Sequence, residues 1–370
     1  MNNHLTEFQE HLKKSKRIVA LVGAGLSVSS GIPTFRGSQG LWKNFNMIDL
    51  ATPDAFYIDP GLVWQFYSWR RINALKALPN KGHLALSKLS KLSGQTVDGR
   101  KLEYITITQN VDGLLSRSGH LKENLYEIHG SLFALKCTSF MCNYVARDNF
   151  KNPLTRALAD TEYEYRARVK SEGRDLERQG SVKEQTTQDL PTNQQDLPTI
   201  SLTISPTSQD LPISSPTNGQ GSIPSSRQGS FHDLRHTESI SSFASPQFNP
   251  VKEIPESELP QCPVCRDGSL LRPDVVWFGE SLPLRLIDQV DNFIELDDCV
   301  DLVLVIGTSG TVYPANSYVD RIKLRGGKVA IFNTDIDNEI VAGNVKDTWG
   351  FRGDAAELLP IALKPLIGDV

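Results

Sequence analysis

The chain has 370 residues, 39% of them apolar and 22% charged, with a formal net charge of −4. That length allows one large core or two domains. The weak negative charge argues against a general nucleic-acid binder, and no apolar run approaches the length that spans a membrane. The segment MNNHLTEFQEHLKKSKR lacks an apolar secretory core, and Glu7 and Glu10 argue against a mitochondrial transit peptide, so a cytosolic or nuclear protein is expected. In such a reducing compartment the five cysteines are expected to be metal ligands plus a core thiol rather than disulfides.

In chain order, residues 4–14 read as a short amphipathic helix, with Leu5, Phe8 and Leu12 at helical spacing. Residues 18–22 are a short, β-branched apolar run, the pattern of a buried parallel strand. Gly23-Ala24-Gly25 then turns the chain tightly and lets backbone N–H groups approach a ligand closely. Ser27, Ser29, Ser30 and Gly31 follow, and Pro33-Thr34-Phe35-Arg36-Gly37 reads as a loop able to fold over what the turn holds. A dinucleotide fingerprint has its third glycine at the sixth position of the turn; here that position is Val28, and Gly31 comes three residues later. Residues 40–58 mix aromatics with turn residues and read as a packed lid or small-domain element. Helices are expected at 61–78 and from about His83 to Leu92.

Residues 104–108 (YITIT) form the next expected strand, which runs into Gln109-Asn110-Val111-Asp112-Gly113. A shorter strand near 125–128 ends in His129-Gly130. Polar groups at the carboxyl ends of parallel strands occupy the ligand-binding edge of open α/β sheets. Further on, an apolar strand and a proline turn lie within 270–280, and a helix covers 283–296. A strand at 301–307 leads into Thr308-Ser309-Gly310. A helix at 314–325, a strand at 328–333 and a helix at 354–366 complete the series. Strands alternating with helices predict a parallel sheet covered on both faces. Residues 180–250 are rich in Ser, Pro, Thr and Gln and repeat Gln-Asp-Leu-Pro at 188–191, 195–198 and 209–212. They read as a disordered insertion that grew by duplication, and the charged stretch 155–178 reads as a solvated helix leading into it.

Cys137-x4-Cys142 and Cys262-x2-Cys265 bracket that insertion. Two close pairs joined by a long segment are a zinc-ribbon pattern, and four thiolates suit a closed, structural tetrahedral site. Cys299, just ahead of a core strand, reads as a buried thiol.

The stretch GAGxSxxSGIPxFRG resembles the cofactor-binding signature of the sirtuins, the NAD-dependent protein deacylases. The resemblance covers about 15–150 and 255–365. It implies an α/β fold with a Rossmann-like NAD-binding domain assembled from 15–39, 79–130 and 270–366. A small domain would join a helical module (40–78) to a zinc-binding module (131–150 and 255–269), with 155–250 inserted. Gly23, Ala24, Gly25, Ser27, Ile32 and Pro33 would form the cofactor loop, Arg36 would neutralise phosphate, and Phe35 would shield the reactive ribose carbon. Gln109 and Asn110 would hold the ribose and, with Val111, Asp112 would hold the nicotinamide amide. Gly307, Thr308, Ser309, Asn333, Thr334 and Asp335 would hold phosphate and the adenosine ribose, and Phe351 and Arg352 would lie near the adenine. With Asn110 beside it, His129 matches the base that takes a ribose hydroxyl proton, a task suited to a neutral imidazole near pH 7. Sirtuins typically space the first cysteine pair by two residues, which would place a cysteine at Phe140; Cys142 is kept as the ligand here.

Val276-Trp277-Phe278-Gly279-Glu280 matches the sirtuin segment that pairs with the substrate backbone, Val276 accepting the acyl-lysine amide hydrogen bond. Tyr67-x-x-Arg70, with Ala51 upstream, resembles the class III branch, the desuccinylases, demalonylases and deglutarylases. Positions i and i+3 share a helix face, so a phenol and a guanidinium there can hold one carboxylate. The implied reaction is NAD-dependent removal of short acidic acyl groups from protein lysines, releasing nicotinamide and O-acyl-ADP-ribose. A monomer with one structural zinc, acting on acylated-lysine proteins or peptides and without nucleic-acid or membrane partners, is expected. The rival expectations are ordinary deacetylation, mono-ADP-ribosyl transfer, and a scaffold that recruits partners through the insertion. Family resemblance also leaves mitochondria open as a compartment.

Overall fold

The computed structural model describes residues 2–34, 41–159, 251–296, 298–310 and 315–370, all within one structural unit. The Phe35 and Arg36 assignments and the inserted repeats at 188–212 lie outside the described residues.

β1 (Arg17–Val22) is buried at all six positions and forms the spine of the fold. β2 (Glu103–Thr108) pairs with it on one side, and β3 (Leu125–Glu127) extends the sheet beyond β2. The chain then builds a small antiparallel sheet from β4 (Gly130–Cys137), β5 (Val145–Ala146) and β6 (Leu271–Val275). It returns to the first sheet as β7 (Leu302–Ile306), β8 (Lys328–Asn333) and β9 (Thr348–Arg352). The large sheet is wholly parallel, in the order β9-β8-β7-β1-β2-β3.

Side chains on β1 alternate between two covered faces, as both-sided burial of a parallel strand requires. Ile18, Ala20 and Val22 pack with Phe8 and Leu12 of α1 (Asn2–Lys14), Leu86 and Leu89 of α4 (Lys81–Leu92), and Leu359 and Leu363 of α8 (Ala355–Ile367). Val19 and Leu21 pack with Val290 and Ile294 of α6 (Leu284–Glu295) and Tyr318 and Ile322 of α7 (Ala315–Leu324). The strand order grows in both directions from β1, so a crevice opens at the carboxyl ends of β1, β2 and β7, where such sheets bind ligands.

The small module has its own core, in which Phe66 and Tyr67 of α3 (Pro60–Lys76) meet Phe133, Leu135 and Trp277. Of the segment 40–58, the described residues 41–58 form no regular strand beyond a two-residue pairing of Leu41–Trp42 with Phe45–Asn46. A helical turn, Met47–Leu50, and α2 (Pro53–Ile58) follow. Thr52 and Asp59 cap α2 and α3 through side-chain oxygens, each with proline at the first helical position, the arrangement that satisfies orphan N–H groups at a helix start. Among the described residues no helix is long and apolar enough to cross a membrane.

Three local expectations are corrected. Cys299 is exposed rather than buried, because it lies in the turn before β7 while its neighbour Val300 faces the core. At the start of 155–178, Arg156–Leu158 form a short 3-10 turn with Ala157 and Leu158 buried, not a solvated helix, while the expectation for 160–178 lies outside the described residues. β9 was not foreseen: it is a short run around Gly350, ordered by Trp349 and Phe351 packing edge-on against Phe8 of α1.

Candidate active site

The loops after β1 and β7 interlock at the crevice. The N–H groups of Gly23 and Gly25 donate to the carbonyls of Ile306 and Gly307, both at 2.8 Å. A β-carbon at Gly25 would lie 2.7 Å from the Gly307 Cα, and one at Gly23 would lie 2.7 Å from the Gly307 oxygen. These two N–H groups are therefore spent on a neighbouring loop rather than offered to a ligand. Glycine is required here by backbone-to-backbone contact. A 3-10 helix, Ala24–Ser30, follows and ends at Gly31, whose φ is 84°. Ile32 and Pro33 are half-buried beyond it, Ile32 packing on the small-module core.

Ser27 is the hub of a buried polar cluster. Its hydroxyl donates to Asp112 Oδ2 at 2.7 Å and accepts from Asn110 Nδ2 at 3.3 Å. Asn110 Nδ2 also donates to the Gly23 carbonyl at 3.1 Å, and Asp112 Oδ1 accepts the Leu114 N–H, at the start of α5 (Leu114–Arg117), at 2.9 Å. Val111, buried between them, accepts the Leu132 N–H at its carbonyl. Gln109 Oε1 accepts from Thr308 Oγ1 at 3.0 Å, joining the β2 and β7 loops.

His83 belongs to this cluster, and sequence reasoning saw it only as a helix start. It is fully buried, with Nε2 3.5 Å from Ser27 Oγ. Its Nδ1 accepts the Asn80 N–H at 3.2 Å, which leaves the proton on Nε2, facing Ser27. Burial pushes its pKa down to about 4, opposed by the Asp112 charge. The available signal was the Asn80-x-x-His83 capping box, which says nothing of Ser27, 56 residues earlier.

His129 stands at the end of β3, half-buried. Its Nδ1 lies 3.0 Å from the Gln109 carbonyl oxygen. A carbonyl only accepts, so Nδ1 carries the proton and Nε2 keeps its lone pair. Burial lowers the His129 pKa below the ordinary 6.5, with the Gln109 hydrogen bond opposing, so the ring is neutral at pH 7. The His129 backbone carbonyl accepts the Val276 N–H at 2.9 Å.

Beyond Val276, the Phe278 N–H donates to the Ala51 carbonyl at 2.9 Å. Trp277 is buried, its ring tilted at 39° to that of Phe56 with centroids 5.3 Å apart, and its Nε1–H donates to the Tyr67 hydroxyl at 2.8 Å. Tyr67 is fully buried on α3, and the Arg70 guanidinium lies 5.8 Å from the centroids of both the Phe66 and Tyr67 rings. Arg70 retains some surface, yet its Nη1 is sealed from solvent. Burial lowers its pKa, and Tyr67 and Asp112 favour its charged form. Phe278 and Gly279 are exposed. Glu280 forms a fork with Arg272, at 2.5 and 2.8 Å, and accepts the Trp277 N–H at 2.8 Å. Burial works to raise its pKa, but these hydrogen bonds hold it below the usual carboxylate range.

On the far side of the crevice, Asn333 Nδ2 donates to the Thr308 carbonyl at 3.0 Å, with Thr334 and Asp335 exposed beside it. Ser309 is exposed next to Thr308. Arg352 donates to Asn338 Oδ1 at 2.7 Å and to the Ile336 carbonyl. The half-buried Phe351 ring stacks on Phe332 at 4.8 Å.

A family model described as the Sir2 family matches residues 23–170 and 225–314. The chain belongs to the Sir2 family. It is 60% identical over 370 residues, all of both chains, to an NAD-dependent protein deacylase of Candida albicans. It is 34% identical over 365 residues to the mitochondrial NAD-dependent protein deacylase sirtuin-5 of Canis lupus familiaris, covering 98% of this chain and 86% of the relative. The crystal structure of a Sir2 homologue–NAD complex superposes with a TM-score of 0.58 at 28% identity, covering 97% of this chain and 92% of the other.

Two groups that Sir2 proteins bind can be tested against these residues. The Sγ atoms of Cys137, Cys142, Cys262 and Cys265 lie within 4.8 Å of one another, with Cys137–Cys265 at 3.7 Å and Cys142–Cys262 at 3.8 Å. Zinc–sulfur bonds of about 2.3 Å set tetrahedral edges of about 3.8 Å, so the four thiolates fit a zinc ion. The four-residue gap is taken up by a turn in which the Cys142 N–H donates to the Ser139 carbonyl at 3.1 Å, leaving Phe140 96% exposed. For NAD, the donor set suits its polar groups: amides and a neutral imidazole for ribose hydroxyls, and the Ser27-held Asp112 carboxylate for a carboxamide N–H.

Proposed function

We propose that this protein is an NAD-dependent protein-lysine deacylase that prefers short acidic acyl groups, succinyl, malonyl or glutaryl. The observation that carries the reading is the double engagement of His129. Its ring is held by the Gln109 carbonyl in the cofactor loop, and its own carbonyl holds Val276 in the peptide segment. One residue thus sits between the two substrates.

NAD, when bound, supplies the electrophilic ribose carbon and the hydroxyls that take up the acyl group. His129 Nε2 is the nitrogen that would accept a proton from one such hydroxyl, because Nδ1 is already protonated against Gln109. Gln109 and Asn110 hold the ribose, and Asp112 the carboxamide; the Ser27 and Leu114 contacts fix that carboxylate in orientation. Gly23, Gly25, Gly307, Thr308 and Asn333 keep the loops after β1, β7 and β8 in register beneath the phosphates. The half-buried Val276 and the exposed Phe278 and Gly279 take the peptide, and Glu280 acts through Arg272 and Trp277. The four cysteines would hold zinc, and four thiolates would leave it no open position for water, so its part would be structural.

Acidic-acyl preference follows from Tyr67 and Arg70. Trp277 occupies the Tyr67 hydroxyl as an acceptor, which leaves the phenolic proton to donate to a carboxylate beside the Arg70 charge. A charged hydrogen bond contributes about 1.5–3 kcal/mol, or about 10- to 150-fold in affinity. The test is turnover of one peptide carrying succinyl-, glutaryl- or acetyl-lysine, with and without NAD, for the wild type and Arg70→Met. The variant should lose its acidic preference by about that factor; an acidic preference that R70M leaves unchanged would remove Arg70 as its cause, and acetyl favoured in both proteins would leave a deacetylase. The acylated protein is engaged by a monomer without nucleic acid. A mitochondrial location is carried in the sirtuin-5 relative's name; cell fractionation tests it for this protein.

A further inference from the structure

Arg70 is followed by a second arginine that solvent does not reach. Arg71 is 0% exposed, and its guanidinium meets no carboxylate among the described residues. It donates instead to three backbone carbonyls: Leu132, Asn149 at 2.7 Å and Lys151 at 2.9 Å. The Phe133 ring lies beneath it, 5.4 Å to the centroid. A buried cation without a counter-ion is costly, and burial pushes the Arg71 pKa down to about 10. Such a group needs a reason to be there.

Its three acceptors supply one. Leu132 lies in β4, which starts directly after His129, and the Leu132 N–H is held by Val111 of the catalytic loop at 2.9 Å. Asn149 and Lys151 belong to the turn beyond β5. That turn is closed by its own side chain: Asn149 Oδ1 accepts the Lys151 N–H at 3.1 Å, which brings both carbonyls to bear on Arg71. The Asn149 N–H is tied in turn to the Phe133 carbonyl at 2.7 Å. Neighbouring residues on a helix point about 100° apart. Fastening Arg71 to β4 and the ribbon therefore sets the rotation of α3, and with it the directions of Tyr67 and Arg70.

We propose that Arg71 is a positioning residue for acyl selection: its carbonyl-bound guanidinium aims Tyr67 and Arg70 at the acidic acyl group and ties that aim to the strand that leaves His129. The proposal rests on the reading of Tyr67 and Arg70 as the carboxylate pair. Lysine at 71 would keep the charge but not the planar fork of donors that reaches three carbonyls at once.

The test uses the full chain with R71K, N149A and R70M, succinyl- and acetyl-lysine versions of one peptide, and saturating NAD. R71K should raise KM for the succinyl peptide about tenfold, while acetyl kcat/KM and the KM for NAD stay within about threefold. N149A, at a half-buried turn outside the cleft, should shift the same ratio in the same direction by about threefold, and it carries the test alone if R71K does not fold. Bound zinc, measured by metal analysis, should be unchanged in both. Equal losses for the two acyl groups, or a wild-type ratio in both variants, would overturn the proposal and leave Arg71 as scaffold. An R70M ratio equal to wild type would instead remove the carboxylate-pair reading, and this proposal with it.

Discussion

The Nδ1 atom of His129 and the carbonyl oxygen of Gln109 lie 3.0 Å apart, and that one contact decides which nitrogen can act as a base. Burial also depresses the His129 pKa below 6.5. The active form is neutral, so a depressed pKa keeps it populated to lower pH. The acid limb of kcat should fall below pH 6.5, and His129→Ala should lose about 10²- to 10⁴-fold in kcat. A pH–rate profile with the acid limb above that of a free imidazole would contradict this.

His83 makes a stability prediction of its own. Its folded pKa, about 4, is below the 6.5 of an unperturbed ring. The fold favours the neutral form, so the contribution is complete above pH 6.5 and is lost as pH falls toward about 4. For a ring this deeply buried the total is roughly 3 kcal/mol. Urea midpoints measured at neutral and acidic pH should fall more for the wild type than for His83→Gln, and equal falls would remove His83 as the cause.

The interlocked turns predict a ranking of glycine variants. Gly25→Ala places a methyl 2.7 Å from the Gly307 Cα and should cost about 1–3 kcal/mol as overpacking, with a raised KM for NAD. Gly31→Ala meets nothing within 4 Å but must hold a φ of 84°, so it should cost only about 1 kcal/mol and leave the NAD loop in place. Thermal melts and NAD saturation curves on both variants check the order.

Cys142 and Phe140 separate ligand from bystander in the ribbon. Cys142→Ser should release zinc and lower the melting temperature, because structural metal binding contributes directly to folding. Phe140→Ser, at a site 96% exposed, should keep both the metal and the melting temperature. Metal analysis with calorimetry reads both outcomes.

Much of this protein was written in local sequence. The all-buried β1, the alternation of strands and helices, the glycine turn and the paired cysteines each follow from side-chain chemistry over a few residues. Each involves neighbours in the chain, where periodicity and spacing carry the signal. What the tertiary structure decided are the long-range pairings. His83 meets Ser27 only once α4 packs beneath the first turn. Glycine is needed at 23 and 25 because the loop after β7, nearly three hundred residues on, arrives at backbone distance. Phe351 is half-buried because α1 brings Phe8 against β9. Arg71 looks like any helix-surface arginine in the sequence. Only folding reveals the three carbonyls that hold it, because backbone acceptors carry no side-chain identity for a sequence to display.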